Sequence, residues 1–130
     1  MRNRPLFATR QLFAAALALT IWATPSAYAE DATTRANRSA YQAALKCFVA
    51  NGIAVGDARD ARNAERANAS DTMARKSFDT AKKLGSLLGY SGDRMQQDFS
   101  LAQTYELPRM MKDLSYYRDA AATCKALGLM

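Results

Sequence analysis

Residues 110–127 read MMKDLSYYRDAAATCKAL, and the period of their apolar positions decides the fold class. Met110, Leu114, Tyr117, Ala121 and Cys124 recur at steps of four, three, four and three, with Leu127 one step further. That spacing predicts an α-helix with one apolar side, on which Cys124 points inward. The only other cysteine is Cys47, on the margin of a second apolar face formed by Tyr41, Ala44, Leu45, Phe48 and Val49. A bond between the two ties distant segments into one bundle.

The first 29 residues read as an export signal. Arg2, Arg4 and Arg10 give a positive start, Leu12 to Ala23 is an apolar run, and Pro25 precedes Ala27-Tyr28-Ala29, a small-x-small cleavage pattern. The apolar run is short of the roughly 20 residues that a membrane span needs. Removal of this segment is expected to leave residues 30–130, a single helical domain of 101 residues with 15 basic and 12 acidic side chains and a net charge of +3. So small a charge is weak support for a nucleic-acid or anionic-lipid partner, and no later segment is apolar enough for a membrane span. Export makes one disulfide, Cys47–Cys124, the simplest reading of two cysteines. Closing a loop of that length is worth about 4 kcal/mol in the chain-entropy account, a large share of the roughly 5–15 kcal/mol that holds a domain together.

Four helical segments are expected in the domain. Thr33 or Thr34 is positioned to cap the first, and Asn51-Gly52 either stops it or lets it run on, kinked, to about Ala67. Its small face, Ala50, Ala54, Ala58 and Ala61, suits close approach by a neighbour. Ser70 or Asp71 reads as a second N-cap, ahead of a face built on Met73, Ser77, Ala81, Leu84 and Leu88. Gly89-Tyr90-Ser91-Gly92 ends that helix, and Ser91 or Asp93 caps a third, with Met95, Phe99, Ala102 and Tyr105 or Glu106 on its stripe. Pro108 should stop or kink it, and Gly128 closes the last helix. There is no alternating β-branched run, and valine occurs only at 49 and 55. The expected fold is all-α, a compact bundle of about four helices pinned by one disulfide.

The composition excludes much chemistry. Histidine is absent, which removes the commonest general base and metal ligand, and two cysteines alone cannot complete a structural zinc site. Serine and cysteine hydrolase arrangements lack their base, and no phosphate-cradling glycine motif is present. Asp57 and Asp60 lie three apart, but Arg59 and Arg62 interleave them, so a solvated, charge-balanced face is the reading. No catalytic residue, metal site or cofactor is assigned.

The stretch rich in methionine and aromatics, 90–117, is where a binding surface is expected. Met95, Phe99, Met110 and Tyr117 fall on core stripes, whereas Tyr90, Met111 and Tyr116 fall off them and are the candidate partner-binding residues. In size, export and a single long-range disulfide the chain is comparable to small helical periplasmic chaperones and to helical immunity or inhibitor proteins, a comparison of class that transfers no site. The expected function is that of an exported, non-catalytic protein-binding module of the bacterial envelope, periplasmic or secreted: a chaperone, an inhibitor or immunity protein, or an accessory subunit. The alternative is a helical carrier of a small apolar ligand or lipid, held beneath Ala50, Ala54 and Ala58 in a cavity lined by Phe48, Phe78, Phe99 and Leu114.

Overall fold

The computed structural model describes residues 30–130; the expected export signal, 1–29, lies outside them. Four helices follow in order: α1, Ala32–Asp60; α2, Ala64–Leu87; α3, Gly92–Lys112; and α4, Leu114–Ala126. Among the described residues there is no strand, and no helix is long and apolar enough to cross a membrane. Helix α1 is the central element, against which each of the other three packs.

The start of α1 lies two to three residues earlier than the threonines suggested. Asp31 is the N-cap: its carboxylate accepts the Thr34 N–H at 2.6 Å, and this bond holds its pKa below the ordinary value. The helix then runs unbroken through Asn51-Gly52. Asn51 is fully buried and donates to the Cys47 carbonyl four residues back, so its side chain serves the bundle interior instead of a cap. Gly52 and Gly56 sit in the same helix without a positive φ and with open space around them.

The first reversal is earlier than Ser70. Arg62 adopts φ 54°, and Asn63 caps α2 by accepting the Arg66 N–H at 3.0 Å. The alanine-and-charge segment 57–69 is therefore split between two antiparallel helices. At the other end of α2, Gly89 at φ +74° turns the chain, and Ser91 caps α3 as expected. Pro108 does not stop α3, which continues to Lys112. Pro108 is exposed, so the backbone acceptor left without its N–H lies on the solvent side.

Asp113 corrects the reading of residues 110–127 as one stripe. It is at once the C-cap of α3 and the N-cap of α4, so Met110 enters the core from α3 and the phase restarts. On α4 the buried residues are Ala120, Ala121 and Cys124, with Tyr117 half-buried, whereas Leu114 and Leu127 are 58% and 51% exposed. Gly128, at φ +69°, turns the chain back so that Leu129 takes the inward place.

The Cys47–Cys124 disulfide is present, with Cα atoms 5.6 Å apart. Around it α1 and α2 meet over small residues: Ala44, Ala50, Ala54 and Ala58 against Ala67, Ala74, Ala81 and Gly85. Bulk enters where α3 crosses. Phe48, Phe78 and Phe99 pack edge-on or tilted with centroids 4.7–5.9 Å apart, and Met95 and Tyr41 close over Gly85.

Gly85 leaves little room for a methyl group: a Cβ there would run into the Met95 side chain and stand 3.1 Å from the Tyr41 ring. Gly85→Ala should destabilise by about 1–3 kcal/mol through overpacking. Gly52→Ala and Gly56→Ala should each stabilise by up to about 1 kcal/mol, since alanine is the better helix former. Urea titrations of the three variants check the opposite signs.

Candidate partner-binding surface

The three candidate residues do not form one patch. Tyr90 ends α2: its N–H bonds the Gly85 carbonyl, its ring meets the Tyr41 edge at 5.3 Å, and the Arg94 guanidinium lies 3.8 Å from its centroid. Tyr116 is half-buried in the first turn of α4. Its hydroxyl donates to Glu106, and its ring is flanked by Arg109 at 3.9 Å and Lys46 at 5.1 Å. Met111 alone stands free, 69% exposed near the end of α3.

Each borders a different groove. Tyr90 lines one of about 720 Å³ between α1 and α3, together with Arg38, Lys46, Arg94, Asp98 and Tyr105. Its charges are largely matched internally: Tyr41 donates to Asp98 at 2.8 Å, with Arg94 3.7 Å from the same oxygen, and Lys46 lies 4.0 Å from Glu106. Tyr116 borders a second groove of about 380 Å³ between α1 and α4.

Met111 borders a third, of about 560 Å³, between the C-terminal half of α1, α2 and the end of α3. Its floor is Gly52, Ile53 and Gly56, where a Cβ on either glycine would meet nothing within 4 Å. Phe48, Val49 and Val55 add apolar surface, and Leu107 and Met111, one turn apart, form the opposite wall with Leu107 40% exposed. The rim carries Asp57, Asp60 and Asp71 against Arg59. Sequence reasoning passed over Leu107, and it reads Gly52 and Gly56 only as small residues four apart on a helix that a neighbour can approach. Their signal was in plain view, a Leu four residues before Met111 and a Gly pair one turn apart, but nothing in the sequence says that these faces meet.

Of the residues expected to line a carrier's cavity, three meet and one does not. Phe48, Phe78 and Phe99 pack against one another, and Leu114 lies away from them, exposed on α4.

The most buried polar residues lie in the interior. Asn51 and Ser77 have no exposed surface. Asn51 Nδ2 donates to the carbonyls of Cys47 at 2.9 Å and Leu129 at 2.7 Å, and the Ser77 hydroxyl donates to the Met73 carbonyl at 2.9 Å. Two carbonyls facing Nδ2 fix the orientation of the amide, which leaves Asn51 Oδ1 buried with no donor. Such an orphan acceptor costs about 1–3 kcal/mol.

No protein-family model, no curated protein and no solved structure matches the chain. The class that the fold itself defines is a disulfide-linked bundle of four helices.

Two pH effects follow. Asn51→Asp turns an acceptor toward two carbonyls, so its carboxyl pKa must lie above the ordinary value of about 4. The variant should hold its stability at acid pH and lose about 3 kcal/mol or more by pH 7, where a buried charge would be uncompensated. Tyr41, 3% exposed, has its pKa pushed up by burial and by the bond to Asp98, and burial then Asp57 raises that of Tyr117. Both phenols are favoured protonated in the fold, so stability should hold below pH ~10 and fall above it, with Tyr41 contributing at most about 1.4 kcal/mol per pH unit. Tyr41→Phe should remove one share of that alkaline slope, measured by urea unfolding between pH 9 and 11.

Proposed function

We propose that this protein is a small, non-catalytic protein-binding module of the bacterial envelope, exported by its first 29 residues and acting in the periplasm or outside as a chaperone, inhibitor, immunity protein or accessory subunit. The observation that carries the reading is the groove bordered by Met111. It combines an open glycine floor, on which a partner backbone can come close, with a wall of exposed Leu107 and Met111. Methionine adapts its shape to an apolar partner. Asp71 is paired with Arg75 at 3.0 Å, which leaves Asp57 and Asp60 on the rim against Arg59, a small acidic excess that favours a partner segment apolar on one side and basic beside it. An amphipathic helix laid in the groove has this chemistry. The disulfide supports the compartment, since such bonds persist where the surroundings are oxidising. The rings of Tyr90 and Tyr116 are covered by guanidinium groups, so of the three candidate residues Met111 is the one assigned to direct contact.

The test uses a fluorescent peptide of about 14 residues, four helical turns, with leucine on one face and lysine on the other, and a second in which glutamate replaces lysine. The lysine peptide should bind about tenfold or more tightly, a difference of about 1.4 kcal/mol. Gly52→Leu with Gly56→Leu fills the floor without disturbing the helix and should abolish binding in an anisotropy titration. Equal affinity for both peptides, or binding that survives the filled floor, would remove this site as the basis of the reading.

A further inference from the structure

Helix α4 is fastened at both ends. At its start one residue, Asp113, with φ −122° and ψ 99°, is the whole link to α3. At its end Cys124 is bonded to Cys47, and the Leu129 carbonyl accepts from Asn51. Between these points α4 fully buries only Ala120, Ala121 and Cys124, and Tyr116 and Tyr117 of its first turn lie half-buried against the core. Two half-buried tyrosines, one of them bonded to Glu106, and three small buried side chains hold α4, less than seats the other helices, and an element held in this way opens more readily than the rest unless cross-linked. The clasp at Leu129 also works against itself, because it seals Asn51 Oδ1 away from any donor. When α4 and its tail lift, water reaches that oxygen and an unmet hydrogen bond is recovered.

We infer that the Cys47–Cys124 disulfide is a redox latch on α4: its reduction lets α4 swing out about Asp113 while α1, α2 and α3 remain folded, uncovering the strip of α1 marked by Cys47 and Asn51. The reductant is a dithiol. Its thiolate attacks one cysteine sulfur to form a mixed disulfide, and its second thiol then displaces the protein sulfur. The protein disulfide gains two electrons and two protons as the Cys47 and Cys124 thiols, and the dithiol closes to its own disulfide. Both cysteines are 1% exposed, yet both line the groove of about 380 Å³ between α1 and α4, which gives the reductant its approach. The latch is independent of the groove at Met111, to which neither cysteine contributes.

The experiment is hydrogen exchange of the native protein, read by mass spectrometry with and without dithiothreitol. Reduction should speed exchange in residues 114–126 by roughly a hundredfold or more, the order of effect expected when a long loop loses its closure. Amides in α1 and α2 share only the global loss of the loop closure and should be accelerated roughly tenfold less than those in 114–126, and iodoacetamide should then label both thiols. Unchanged exchange in 114–126 would overturn the latch, and so would equal loss of protection along all four helices. Cys47→Ser with Cys124→Ser should reproduce the selective pattern without reductant. A double variant that has lost its helical circular dichroism would also overturn the latch, because α1 to α3 are required to stand without it.

Discussion

The close approach of α1 and α2 over alanine is the constraint on which the rest of the structure depends. Small side chains at Ala44, Ala50, Ala54 and Ala58 on one helix, and Ala67, Ala74 and Ala81 on the other, let the two backbones come near. The same smallness limits what the contact contributes, since each buried methylene is worth only about 0.8 kcal/mol. Stability must therefore be drawn from places where something larger or covalent enters. There are two: the aromatic cluster where α3 crosses α1, and the disulfide that fastens α4.

The interior polar cluster belongs to the same logic. Between small side chains there is room for Asn51 and Ser77, and Asn51 holds the returning tail through the Leu129 carbonyl. This specifies where the tail lies, since Nδ2 demands acceptors in fixed directions, but at the cost of one unmet acceptor on the same amide. A core of this kind is directional without being strongly adhesive, which suits an element that is fastened by a cross-link. It also leaves large apolar residues outside. Leu101, Tyr105, Leu107 and Met111 of α3 all stand at least 40% exposed. Singly such residues are ordinary. The pair Leu107 and Met111 differs in facing a glycine floor across an open groove.

Elements set by local chemistry were legible in the chain, and those set by competition between neighbours were not. Ser91 caps α3 and Gly89 and Gly128 turn the chain, because a side-chain acceptor or a positive φ acts within a few residues. Asn51-Gly52 carried an equally strong local stop signal, and the helix passes through it. Burial of Asn51 between α1, α2 and the tail gave its amide interior partners that a cap would have left unused. Asp113 misled in the opposite direction: a continuous stripe concealed a break of one residue, which sent Leu114 and Leu127 outward and Leu129 inward. Of the site, Met111 could be picked out because it falls off a helical stripe. Tyr90 and Tyr116 fall off stripes as well, but stacking by Arg94 and Arg109 depends on spatial neighbours that a period cannot reveal.

By itself, then, the sequence determined the helical class, the absence of a histidine-based site and the pairing of the only two cysteines, because periodicity, composition and count need no knowledge of neighbours. Tertiary structure alone decided where α1 ends, which leucines are buried, and that Gly52, Gly56, Leu107 and Met111 share one groove. Those outcomes turn on which faces meet across a bundle, and helices joined by short turns leave that choice to side-chain volume and to the interior partners of single polar groups.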